Sequence, residues 1–219
     1  MGGTVPTVTS TERVDRAPAV QRSRVRSERQ QQAIVAAARR LVDSRGGGFT
    51  TQELIAEAGI ALQTFYRYFG GKDQLLLAVI EDLIAEAADA LEAEAAGIAD
   101  PVARLEFEIT SLVRSAGGGG EPGPAQFVTS EHWRLHQIFP DEIARASQPV
   151  VDLFARELAA ATEAGRLRST DPQRDAWFAM RLVMSVFHHY AYVTSDEHAP
   201  TVAEDLWAFC LTGFGGAPD

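Results

Sequence analysis

The stretch that decides the fold runs from Thr50 to Leu76, TTQELIAEAGIALQTFYRYFGGKDQLL. Thr50 and Glu53 stand at the spacing of a capping box, in which a hydroxyl and a carboxylate three residues apart satisfy unpaired backbone donors at a helix start. Phe49 and Leu54 occupy the two positions of a hydrophobic staple around that cap. Leu54, Ile55 and Ala58 give the helix an apolar face, and Gly59 ends it, since glycine accepts the left-handed conformation of a helix terminus. After Ile60, residues 61–68 make barely two turns. Phe65 and Phe69 are spaced to enter a core, while Gln63, Thr64, Arg67 and Tyr68 face outward with Tyr66 at the edge. This is the anatomy of a helix-turn-helix.

Working outward, residues 27–44 carry Ile34, Ala38, Leu41 and Val42 at helical spacing, a stripe suited to cover the helix-turn-helix pair. A further helix begins after Gly71 and continues for over twenty residues through Leu75, Leu76, Val79, Ile80, Leu83, Ile84 and Ala87, joining this module to the rest. Residues 1–25, rich in Thr, Val, Pro and Arg without helical periodicity, read as a mostly disordered arm. Its Arg24, with Arg26 just beyond it, leads into the first helix and suits DNA contact; the plainer alternative is a basic tail.

Charge distribution supports a nucleic-acid-facing end. The chain has 219 residues and a net charge of −10, yet residues 1–72 carry eleven Arg/Lys against six Asp/Glu, a balance of +5. Residues 73–219 hold the remaining nine against twenty-four, a balance of −15. A basic module on an acidic body is expected when only one end meets phosphates. Lys72 is the one lysine of the chain, read either as a surface lysine or, better, as a phosphate contact.

The run ELIAEAGIALQTFYRYFGGKDQLL resembles the DNA-binding motif of the TetR/AcrR family of bacterial transcriptional regulators. The correspondence lies at Ile55, Ala56, Ala58, Gly59, Ile60, Thr64, Phe65, Tyr66, Tyr68, Phe69, Lys72, Asp73, Leu75 and Leu76. Ala61 departs from the Ser or Thr usual at the cap, and Gln63 from a common Gly, which leaves Leu62 and Gln63 to set a base preference of their own. The resemblance implies phosphate contacts near Thr51, Thr64, Tyr66, Tyr68 and Lys72. Leu62, Gln63 and Arg67 would then face base edges, Gln pairing with adenine and Leu touching a thymine methyl. Tyr66 reads equally as a packed core aromatic.

Beyond residue 95 no strand alternation or repeat appears, so the expected fold is all-α: a three-helix helix-turn-helix domain followed by a helical effector-binding and dimerisation domain. The division expected is 1–25 arm, 26–72 DNA-binding domain and 73–219 body. Asp100-Pro101 starts a helix; AGGGGEPGP at 116–124 is a loop, since four glycines hold no helix. Residues 125–138 form a helix, and one spanning 141–164 is kinked or divided at Pro149. Asp171-Pro172 opens a helix to residue 194 that is apolar over more than one face, and 201–213 form the last. The resemblance adds that the last two long helices pair with a second copy, placing two recognition helices about 34–36 Å apart on a palindromic operator.

The resemblance also implies a small-molecule effector in the body. Phe107, Phe127, Trp133, His136, Phe154, Trp177, Met184 and His188 are the candidate lining, pointing to an apolar or aromatic ligand. His132 and His136 stand one turn apart with Glu131 beside them, but no HExxH or cysteine partner completes a metal set, and no metal or cofactor is expected. His188 and His189 must point to different sides. Cys210, the one cysteine, reads as a buried small hydrophobe. No nucleophile elbow, P-loop or dinucleotide fingerprint suggests catalysis. No run of about 18 apolar residues suggests a membrane span, and no secretory signal is visible, so a cytoplasmic protein is expected.

The favoured reading is a ligand-responsive, homodimeric DNA-binding regulator, a repressor released by its effector. The alternatives are an activator or constitutive DNA binder, or a small-molecule-binding or helical interaction protein whose helix-turn-helix is only structural.

Overall fold

The computed structural model describes residues 11–116, 124–192 and 199–216, and among them all regular structure is helical. Helix α1 (Thr11–Arg45) leads through a 3-10 turn (Gly46–Gly48) into α2 (Thr51–Ala58), α3 (Leu62–Tyr68) and α4 (Lys72–Ala95). The body follows as α5 (Pro101–Ser115), α6 (Pro124–Ile138), α7 (Pro140–Ala146), α8 (Gln148–Glu163), α9 (Pro172–Tyr190) and α10 (Ala199–Gly213). No described helix is long and apolar enough to cross a membrane.

The local signals around Thr50 act as expected. Thr50 Oγ1 accepts the Glu53 amide hydrogen at 3.2 Å, and the Glu53 carboxylate accepts the Thr50 amide hydrogen at 2.7 Å. Gly59 sits at φ 62°, in the left-handed region, and the following amide of Ile60 donates to the Ile55 carbonyl at 3.0 Å. Helix α3 starts at Ala61 without a side-chain cap; the Ala61 carbonyl accepts from Thr64 and Phe65. Ile34, Ala38, Leu41 and Val42 of α1 share one core with Leu54, Phe65, Phe69, Leu75, Leu76 and Val79. Each large side chain buried in this way contributes about 1.5–3 kcal/mol relative to exposure.

One expectation about segments changes, and one open alternative is resolved. Residues 11–25 continue α1 rather than forming a disordered arm. The apolar stripe of the sequence begins only at Ile34, so periodicity gave no signal for the N-terminal extension of this helix. The first ten residues lie outside the described ones, as do 117–123 of the glycine-rich loop. The 141–164 stretch, expected to be kinked or divided at Pro149, is divided: α7 ends at Ala146, and Pro149 stands in the first turn of α8, where its missing N–H breaks no helical hydrogen bond. On α9, Ala176, Ala179, Met180 and Val183 are buried, whereas Trp177, Phe178 and Leu182 are exposed on another face.

One buried charge cluster stands apart from the rest of the body. Glu157 is paired with Arg104 at 2.7 Å and with Arg156 at 3.2 Å. Nearby Glu108 is fully buried, and neither carboxyl oxygen has a hydrogen-bond partner among the described residues. Burial, reinforced by the Glu157 charge, pushes its pKa up to about 8. Its pKa is thus higher folded than unfolded, so the native state retains a proton that the unfolded chain releases. The associated stability is complete at low pH and is lost progressively between about pH 5 and pH 8. Glu108→Gln removes this titration, so urea midpoints should fall with pH across that window more steeply in the parent than in the variant. Parallel pH profiles would contradict the assignment.

Candidate nucleic-acid interface and effector cavity

Helices α2 and α3 present an exposed recognition face. Leu62 and Tyr66 are 47% and 55% exposed despite their apolar surfaces, and Gln63 and Arg67 are exposed beside them. The exposure of Tyr66 sets aside its reading as a packed core aromatic: its ring lies outside the core, edge-on to buried Phe65 at 5.1 Å between centroids. Thr51 and Thr64 are half-buried at the margin, and Tyr68 packs partly against the core with the Arg67 guanidinium 5.0 Å from its ring centroid. Arg24 and Arg26 are exposed on α1. An outward-facing set of this kind can meet base edges and phosphates together.

Lys72 requires a correction. Its ammonium donates to the Gly47 carbonyl at 2.9 Å and to the Phe49 carbonyl, and lies 4.6 Å from the Phe49 ring centroid. Two of its three donors therefore tie the 3-10 turn to the head of α4. A phosphate could take only the remaining one. The sequence placed the lysine at a helix start, but only the fold shows two carbonyls from 23 and 25 residues earlier within its reach.

Asp73, next along α4, accepts from Arg134 of α6 at 2.8 Å, and Arg134 also pairs with Glu131 on its own helix. The 3-10 turn approaches the same helix: a Cβ built on Gly47 would lie 3.1 Å from Glu131 Oε1 and 3.3 Å from the Phe127 ring. Helix α6 thus touches both ends of the linkage that Lys72 closes. Sequence reasoning passed over Arg134, whose partner lies 61 residues away.

On its other side α6 borders an apolar cavity of about 220 Å³. Its walls include Ile84 and Ala87 of α4, Leu112 of α5, Val128 of α6, and Met184 and Phe187 of α9. Of the eight expected lining residues only Met184 is part of this wall. Phe127 and Phe154 are core side chains, buried to 2% and 0%, and Phe107 is half-buried on α5 outside the wall. Trp133 and Trp177 correct the expectation most: they are 64% and 45% exposed, on the outer surface. Aromatic residues at helical spacing mark a face without saying what that face meets, and the actual wall is mainly aliphatic.

His136 and His188 also lie outside the wall, although His188 follows the wall residue Phe187 directly. The His132 ring is 6.3 Å from that of His136 and 5.3 Å from that of His188, centroid to centroid. His189 is exposed. Among the described residues no group of three His, Cys, Asp or Glu side chains is arranged to hold a metal ion. Cys210 is buried, and burial pushes its thiol up to about 11, away from reactivity.

Comparison with known proteins agrees with this anatomy. Residues 34–79 match the model of the tetR family of bacterial regulatory proteins. An uncharacterized HTH-type transcriptional regulator of Bacillus subtilis, YvaF, is 43% identical over 53 residues, covering 24% of this chain and 28% of that protein. A TetR-family transcriptional regulator from Pectobacterium atrosepticum superposes with a TM-score of 0.70 at 21% identity, covering 87% of this chain and 96% of that one. RolR in complex with resorcinol gives a TM-score of 0.62 at 23% identity, covering 87% and 90%. The sequence match thus identifies residues 34–79 as a DNA-binding module of the tetR family of bacterial regulatory proteins, and the remaining helices share the fold of TetR-family regulators.

Proposed function

We propose that this chain is a homodimeric, ligand-responsive transcriptional repressor that acts in the cytoplasm and leaves a palindromic operator when a small apolar or aromatic effector binds. The observation that carries the reading is the sharing of α4. Its first turn is locked to the DNA-binding module through Lys72, and its middle, at Ile84 and Ala87, forms one wall of the cavity. The working division is an N-terminal extension up to residue 25, a helix-turn-helix DNA-binding domain over 26–72, and an effector-binding and dimerisation body from 73 onward. RolR, of the same fold, binds resorcinol, which supports an aromatic effector here. No catalytic role is assigned.

In this scheme Leu62, Gln63 and Arg67 read bases. Thr51, Thr64, Tyr66 and Tyr68, with Arg24 and Arg26 from α1, hold phosphates. Selection from a random duplex library at physiological salt should recover a palindrome whose affinity falls steeply with added salt, because phosphate contacts release counterions. Gln63→Ala should alter the preferred base at a symmetric pair of positions, by roughly 1–3 kcal/mol per half-site. Enrichment of no sequence by a folded protein would favour the non-DNA reading.

Helix α6 would carry the signal, since it touches the cavity at Val128 and the head of α4 through Arg134. Arg134→Gln should leave operator affinity nearly intact while weakening effector-induced release by about 0.5–2 kcal/mol. Unchanged coupling in operator titrations with and without effector would remove α6 from the route.

The exposed α9 face and Phe209 of α10, 67% exposed, supply apolar surface suited to a second copy. Phe178→Glu with Phe209→Glu should shift light-scattering mass from dimer to monomer. A persisting dimer would place the interface elsewhere.

A further inference from the structure

Among the described residues, eight buried side-chain nitrogen or oxygen atoms have no hydrogen-bond partner, and five of them belong to one neighbourhood. They are Thr129 Oγ1, both ring nitrogens of His132, Nδ1 of His136 and Nε2 of His188. Thr129, His132 and His136 follow one another at i, i+3 and i+7 along one face of α6. His188 meets His132 from α9. Burying polar atoms without partners is unfavourable, so their concentration in one place calls for a reason beyond packing.

Position supplies one. Val128 precedes His132 by one turn on α6, and Met184 precedes His188 by one turn on α9; both line the apolar cavity. Phe187, also in the wall, has its ring 6.4 Å from that of His188. His132 and His188 therefore stand one turn beyond the cavity wall on two of its own helices, with Thr129 next to Val128 and His136 one turn farther along α6. We propose that Thr129, His132, His136 and His188 form the polar end of the effector site and receive a hydroxyl group whose apolar carrier fills the cavity. This rests on the cavity being the effector site and adds the chemical class of the effector.

A hydroxyl fits because the His132 and His188 imidazoles are neutral. Burial, with His188 and Arg181 nearby, pushes His132 down to about 4, and burial lowers His188 as well. A neutral imidazole offers one N–H and one bare nitrogen, and a hydroxyl can donate to the second while accepting from the first. A purely apolar ligand would leave all five atoms unpartnered. A carboxylate would meet no imidazolium at His132 or His188, and the imidazoles are not arranged for a metal ion.

Calorimetry of the full-length protein with 4-ethylphenol, ethylbenzene and 4-ethylbenzoate tests this, together with NMR of protein labelled with 15N in its imidazoles. The phenol should bind at least tenfold more tightly than ethylbenzene and shift the His132 and His188 ring nitrogens. His132→Phe and His188→Phe should each bring the two affinities together without weakening ethylbenzene; should the first variant not fold, the second suffices. Equal binding of phenol and ethylbenzene by the parent would overturn the hydroxyl site while leaving the apolar cavity in place. Preference for the benzoate would overturn it in favour of an anionic effector. Binding of none of the three would remove both this site and the cavity reading for small aromatic ligands.

Discussion

A single apolar core runs from the helix-turn-helix into the body, and α4 is the element that has to satisfy both ends of it. Leu75, Leu76, Val79 and Ile80 are buried near its start, and Ile84, Ala88, Leu91 and Ala95 farther along. A rigid helix of 24 residues with one buried side cannot shift at one end without disturbing packing at the other. Closely packed interiors respond to such a demand by changing arrangement rather than stretching. That constraint makes the spatial relation between the recognition helix and the cavity a property of the whole molecule.

Polar interactions confine the linkage further. Lys72 closes the turn before α2 onto the head of α4, and Arg134 joins α6 to the adjacent Asp73. The Arg134–Asp73 pair is partly exposed, so its net stabilising contribution is small. Its value is positional: it holds two helices that could otherwise slide. Arg39 of α1 works similarly, pairing with Asp82 at 2.7 Å and with Glu86 on the solvent side of α4. The basic end of the chain thus uses some of its charge on the protein itself, and the charge offered to DNA is less than the sequence count of +5.

Function and stability pull against each other between α6 and α9. A core optimised for stability alone would not hold three imidazoles with unpartnered nitrogens, since apolar side chains of similar shape would avoid the desolvation cost. Local rules are broken at functional sites more often than elsewhere, and the cost is met by the surrounding packing. Here that packing is the continuous core on both sides of the cavity.

The helix-turn-helix was legible from sequence because its determinants are local. A capping box spans four residues, the left-handed Gly59 ends its own helix, and the positions of Phe65 and Phe69 follow from helical spacing. All-α architecture was legible for the same reason. The tertiary structure alone decided the rest: that Lys72 turns inward, that Trp133 and Trp177 lie at the surface, that the cavity is walled mainly by aliphatic residues of five helices, and that His188 meets His132 across 56 residues of chain. Backbone hydrogen bonds near a helix end are satisfied within a few residues, so sequence encodes them directly. Which faces of different helices meet depends on the packing of the entire core, and periodicity records only that a face is apolar.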